Sequence, residues 1–215
     1  MHDKSTLIIQ TSQADMCKNK EFDTVYHEHI NFFNINSMYQ LTKRAKLTLH
    51  DVVKKSIHGT SYLFVIKPRA SSKKIKKLII NESYLNYSFY KKWGNYCSAN
   101  IKKIQKKIKE IKKKEIIIGY GAAAKANTFL NFSKINLDFV IDDNKFKQNK
   151  YCPGSKIPIK SRNLLKKINN DLYILPLAWN FYKEIKARVK KLRPKKNDKF
   201  ILCFPNFKIE HYRRK

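Results

Sequence analysis

A chain of 215 residues with 42% hydrophobic side chains can bury a sizeable core, as one large domain or one domain with an attached subdomain. The formal charge of +31 invites a nucleic-acid reading, yet seven of the 47 basic residues are arginines, the side chain best suited to bases and phosphates, so a basic nucleic-acid-binding protein stays as the alternative of a different class. No apolar run reaches the ~18 residues of a membrane span, no signal-peptide core opens the chain, and Cys17, Cys97, Cys152 and Cys203 form no paired motif; the expectation is a cytoplasmic protein with reduced thiols, no membrane partner and no metal site.

In chain order, Ser5–Thr11 reads as a short strand and residues 12–37 as mostly irregular. Ser37 can cap a helix over "MYQLTKRAK", where Met38, Leu41 and Ala45 share a face. Leu47–Val53 and Thr60–Lys67 read as the strands of a hairpin with His58-Gly59 in its turn, and Pro68 ends that unit. From Ser72 to Lys114 the pattern is helical, with an interruption expected near Gly94. Ile101, Ile104, Ile108 and Ile111 make an apolar stripe at spacings of three and four, and the lysines between them read as a solvated face.

Inside the irregular stretch lies "TVYHEHI", Thr24–Ile30. A zincin helix needs H-E-x-x-H to bring two histidines to one face, whereas His27 and His29 are two apart and would diverge on a helix. On a strand they would share a face, with a third ligand still to be found. An acid/base cluster and a polar, partly buried turn with satisfied histidines are the other readings that the residues leave open.

At Glu115 a buried run, "EIIIG", enters "GYGAAAK" and a helix through Leu130. This G-x-G-x-x-A has the shape of a dinucleotide-binding turn: Gly119 for tightness, Gly121 for a close ligand approach, Ala124 for helix–strand packing. Tyr120, Lys125 and Asn127 flank the turn at the helix N-terminus, where a ligand could meet them. Leu137–Ile141 reads as the next strand and ends at Asp142, which suits a ribose-binding acid or the cap of the next helix. Further alternating elements are expected at Lys156–Ile159, Leu164–Lys167, Leu172–Leu175, Phe181–Leu192 and Phe200–Phe204. Trp179 and Asn180 follow "YILPLA" at its C-terminal end, where ligands bind open α/β sheets, although a core tryptophan and a capping asparagine read equally well.

The expected fold is therefore α/β and Rossmann-like, a mostly parallel sheet with an N-terminal hairpin and a helical subdomain. The expected divisions are an N-terminal segment over 1–70, a helical connector over 71–114, and a Rossmann-like substrate domain over 115–215.

Five stretches in order, "EFDTVYHEHINFFNINSM" (21–38), "HGTSYLFVI" (58–66), "IIGYGAAAKANTFLNF" (117–132), "DFVIDDNKFKQNKYCPGSKIPI" (138–159) and "LPLAWNFYKEI" (175–185), resemble the C-terminal domain of S-adenosylmethionine-dependent C-methyltransferases acting on nucleotide-linked deoxysugars. The resemblance implies a nucleoside-diphosphate keto-deoxysugar substrate, bound near Gly119, Tyr120, Gly121, Lys125, Asn127, Asp142, Trp179 and Asn180. It also implies a catalytic Tyr-x-Glu-His at Tyr26, Glu28 and His29. His29 would be the base, Glu28 would orient it, and Tyr26 would donate to the oxyanion; His27 has no assigned role. The zinc and methyl-donor domains of that family have no counterpart in the sequence, so S-adenosylmethionine would be bound by a separate methyltransferase-domain chain, as in a split or truncated enzyme. A non-catalytic remnant or nucleotide-sugar-binding module is the alternative within the same resemblance.

Overall fold

The computed structural model describes residues 2–11, 14–55, 61–69, 73–204 and 206–211. Two compact units emerge, one from Met1–Lys20 and His27–Tyr96, the other from Glu21–Tyr26 and Cys97–Lys215.

The first unit is built on three antiparallel strands, β1 (Leu7–Thr11), β2 (Thr48–Lys55) and β3 (Ser61–Lys67), in the order β1-β3-β2. Register pairs Ile9 with Phe64 and Leu49 with Ile66, and a bulge lies between Leu49 and Asp51. Both hairpin strands are present as expected; the His58-Gly59 turn lies outside the described residues. Phe64 and Ile66 alternate onto one face, where they meet Leu49, Met38 and Ile35 of α1 (Ile35–Arg44) and Ile75 of α2 (Lys73–Asn81).

Two expectations in this unit are corrected. Asn34, not Ser37, caps α1: its Oδ1 accepts the Ser37 N–H at 2.7 Å while Ser37 Oγ accepts the Asn34 N–H at 3.0 Å. Ser37 is thus the inner partner of a reciprocal capping box. Glu82 Oε2 also takes the Ile35 N–H at 2.7 Å, so a carboxylate sits at the positive end of the helix. The second correction concerns Gly94, which lies inside α3 (Tyr87–Lys112) rather than at a break. One glycine costs only about 1 kcal/mol against alanine, too little to interrupt so long a helix. The break falls at residues 82–86, where Asn86 Oδ1 accepts the Phe89 N–H at 3.0 Å and starts the helix afresh.

The second unit holds a six-stranded sheet of β4 (Ile116–Tyr120), β5 (Phe139–Ile141), β6 (Ile159–Lys160), β7 (Leu172–Pro176), β8 (Lys199–Leu202) and β9 (Lys208–His211). The order is β6-β5-β4-β7-β8-β9, parallel except for β9, which runs antiparallel to β8. Relabelled from β4, this is the 3-2-1-4-5-6 order of a doubly wound sheet, and its direction of travel reverses between β4 and β7. The α/β, Rossmann-like expectation holds.

Ile118, Ile141, Leu172, Ile174 and Phe200 pack one face of this sheet against Ile185 and Val189 of α5 (Tyr182–Leu192). The α3 stripe is buried at Ile101, Ile104 and Ile108, while Lys102, Lys103, Lys106 and Lys107 are exposed. The strand expected over Lys156–Ile159 shrinks to Ile159–Lys160, since Lys156 adopts φ 56° and Pro158 donates nothing to a ladder. The helix expected over Leu164–Lys167 is a short 3-10 segment, Arg162–Lys167, capped by Ser161. No helix among the described residues is long and apolar enough to cross a membrane.

Candidate functional site

In an open doubly wound sheet, ligands meet the carboxyl ends of the strands at the point where the order reverses. Here that point lies between the ends of β4 and β7, and Gly119, Tyr120, Gly121, Trp179 and Asn180 all stand there. Lys125 and Asn127 follow in α4 (Ala124–Ser133), and Asp142 ends β5.

Both glycines sit in close packing. A Cβ on Gly119 would lie 2.6 Å from Leu177 Cδ1 and 3.0 Å from Val140 Cγ2. Gly121 has φ 96°, and its Cβ would lie 2.7 Å from that of Ala178. The Tyr120 carbonyl accepts the Leu177 N–H at 2.9 Å, which ties the turn after β4 to the turn after β7.

Asp142 is buried and holds the Gly-rich turn. Its Oδ2 accepts the Ala122 N–H at 2.7 Å and its Oδ1 accepts the Asn144 N–H at 2.8 Å. Lys147 Nζ donates to the Ala122 carbonyl at 2.8 Å and stands 3.9 Å from Asp142 Oδ2. On the α5 side, the Tyr120 hydroxyl lies 3.3 Å from both oxygens of Asp143. Arg188 and Arg162 pair with the same carboxylate at 2.5 and 3.4 Å. Burial first, and then Asp143, pushes the Tyr120 hydroxyl above the ordinary tyrosine range.

On the α4 side, Phe22 and Asp23 seat the Glu21–Tyr26 segment in this unit. Phe22 packs against Phe129, Phe132 and Phe204, with ring centres 5.0–6.2 Å apart. Asp23 Oδ2 accepts the Trp179 indole N–H at 2.7 Å and lies 3.5 Å from Lys125 Nζ. The Lys125 ammonium sits 4.4 Å from the centre of the Trp179 ring. Burial raises the Asp23 carboxyl above the ordinary range, against the lowering pull of Lys125.

The sequence-selected residues separate into groups. Lys125 and Trp179 come together around Asp23, which sequence reasoning missed; Asp143, Arg162 and Arg188 were missed as well. Asn127, two positions along the helix from Lys125, faces elsewhere, and its buried Oδ1 has no hydrogen-bond partner among the described residues. Asn180 is half-buried in the 3-10 turn Trp179–Phe181.

Tyr26 ends the segment assigned to this unit, whereas His27, Glu28 and His29 open the stretch assigned to the other. Residues 23–30 form turns and bends instead of a strand, so period-two alternation does not set the directions of His27 and His29. His29 is half-buried, with its ring edge-on to Phe32 at 6.1 Å. His27 and Glu28 are exposed.

Residues 56–205 match the family model of the C-methyltransferase C-terminal domain. The chain belongs to that family. It is also 26% identical over 208 residues to the C-methyltransferase NovU of Streptomyces niveus, an alignment covering 91% of this chain and 49% of NovU. The chain thus spans about half the length of this relative.

Proposed function

We propose that this chain is the substrate-binding and acid/base half of a C-methyltransferase acting on a nucleoside-diphosphate keto-deoxysugar in the cytoplasm. A separate methyl-donor half would bind S-adenosylmethionine. Family membership carries the reading. The Gly-rich turn does not fit the donor: Gly121 faces Ala178 without room for a methyl group, and the Asp142 oxygens already hold backbone N–H groups.

A carbon next to a ketone loses its proton only with help from a base. His29 fills that role, because imidazole titrates near neutral pH. Glu28 orients the ring and holds its tautomer, and the Tyr26 hydroxyl donates to the oxygen that gains charge. On the sheet, substrate binding falls to Lys125, Trp179 and Asn180, beside the turn that Gly119, Gly121 and Asp142 hold in shape.

Solvent deuterium entering the sugar reports proton removal without methyl transfer. With the chain and a methyl-donor half combined, His29→Ala should slow that entry roughly 100- to 10,000-fold, the usual worth of a general base. Exchange at the wild-type rate would remove His29 from the mechanism.

A further inference from the structure

Asp23 and Lys125 leave two hydrogen-bonding positions unfilled at the ligand end of the sheet. Asp23 is 1% exposed, and its second oxygen, Oδ1, is closed to solvent with no hydrogen-bond partner among the described residues. Lys125 Nζ is in the same state, although it lies 3.5 Å from Asp23 Oδ2 and over the Trp179 ring. A buried polar atom left unmade is costly, and in native proteins it marks a place for a water, an ion or a ligand group.

The two vacancies have opposite chemistry. A carboxylate oxygen only accepts, and an ammonium only donates. A phosphate oxygen would suit Lys125 and be repelled by Asp23. A ketone oxygen would serve Lys125 alone. A hydroxyl serves both, donating its proton to Asp23 Oδ1 and accepting from Lys125 Nζ. Oδ1 shares its carboxylate with the oxygen 3.5 Å from Nζ, so one hydroxyl with bonds of about 2.8 Å spans the pair.

We propose that Asp23 and Lys125 form a hydroxyl-reading pair, and that the group they take is a ring hydroxyl of the sugar, beside Trp179. This rests on the nucleotide-sugar reading above and deepens it: the sugar end of the substrate, not its diphosphate, lies at this part of the sheet. The Lys125 side chain is 13% exposed although its Nζ is closed to solvent, so the hydroxyl reaches the pair by a shift of that long, flexible side chain. Trp179, fixed through its indole N–H, bounds the position as a flat apolar wall.

The test measures binding of thymidine- and uridine-diphosphate 4-keto-6-deoxyglucose, and of the bare nucleoside diphosphates, to the full chain by calorimetry. Asp23→Asn keeps an acceptor for the indole but removes the charged acceptor for the hydroxyl. It should weaken sugar-nucleotide binding by tenfold or more and leave bare-nucleotide affinity within about twofold, in line with a hydrogen bond to a charged group. Lys125→Met should do the same, and it stands in if Asp23→Asn does not fold by circular dichroism. Equal losses for both ligands would make the cluster purely structural and overturn the proposal. No loss for either would assign the position to a buried water and overturn it too. A wild-type chain that binds the bare nucleotide as tightly as the sugar nucleotide reads no sugar here, which also overturns it. If wild type binds neither ligand, the nucleotide-sugar reading itself falls and takes this proposal with it.

Discussion

The carboxylate of Asp142 holds the backbone of Ala122 across 20 residues of sequence, with Oδ2 accepting the Ala122 N–H at 2.7 Å. The same side chain caps its own loop through Asn144. The turn after β4 and the end of β5 are thereby fixed to each other before any ligand arrives.

Asp142→Ala would strand the Ala122 N–H in a place that is 6% exposed. The expected loss is about 1–3 kcal/mol of folding stability, the cost of one buried donor left unpaired. Urea denaturation should show a lower midpoint with an unchanged slope. A midpoint equal to wild type would mean that the turn holds its shape without the carboxylate.

Arg193 is a second structural anchor, 4% exposed and fully engaged. Its Nε and Nη2 bond both oxygens of Asp198 at 2.8 and 3.0 Å, and its remaining donors reach the carbonyls of Leu165, Ile168 and Asn170. Asp198 in turn accepts the Leu172 N–H at 2.9 Å, at the start of β7. Arg193→Met would leave a buried carboxylate and three carbonyls without this partner, at a cost of about 3–5 kcal/mol. Arg193→Lys should recover little of this, because an ammonium cannot reproduce the planar fork. A loss under 1 kcal/mol for the methionine variant would show that water replaces the guanidinium.

What the sequence made legible was the part governed by short-range pattern. "EIIIG", "LDFVI" and "LYILP" are buried runs bounded by turn residues, and each became a parallel strand. β9 was not legible, since "KIEH" has no hydrophobic run and is a strand only through its register with Lys199–Leu202. Asp23 gave no signal because it lies in an irregular stretch and its partner Trp179 is 156 residues away. Arg193 and Asp198 carry no short-range signal in their lysine-rich stretch, and only the fold makes them a buried pair. Ser37 was read as the cap, and Asn34 was missed because the helix starts at Ile35, three residues earlier than the pattern suggested.

The edge strand β9 should add a measurable acid sensitivity. Glu210 there bonds Lys186, which holds its carboxyl below the ordinary value near 4.5. A carboxyl lowered in the folded state stabilises above its unfolded value, and that contribution is lost as pH falls through the folded value. Lys186→Met should therefore cost about 1 kcal/mol or less near pH 7, a small effect because both side chains are about a quarter exposed. The difference from wild type should shrink as pH falls below 4.5. Asp23 has the opposite sign: burial raises its carboxyl, so its contribution weakens as pH rises through the range above 3.8. Both proteins share that trend, and it cancels in the comparison. Urea midpoints at pH 7, 4 and 3 supply the measurement, and a difference that grows toward acid would refute the assignment.

The G-x-G-x-x-A pattern should not confer tight NAD or NADP binding. A dinucleotide needs the second glycine to admit its pyrophosphate and the acid after the second strand to take its ribose. Gly121 instead gives its space to Ala178, whose Cβ would stand 2.7 Å from any Cβ placed there. Asp142 uses one oxygen on Ala122 and the other on Asn144, so a ribose would have to compete with two backbone N–H groups of the turn itself. Lys147 further closes the turn by bonding the Ala122 carbonyl. Opening the turn for a pyrophosphate would break these bonds and lose the packing of β4 against the segment after β7. Calorimetry of the full chain with NAD and NADP should give no binding at low-micromolar concentrations. Low-micromolar affinity would show that the turn rearranges around a dinucleotide, and would favour a redox enzyme over the methyltransferase reading.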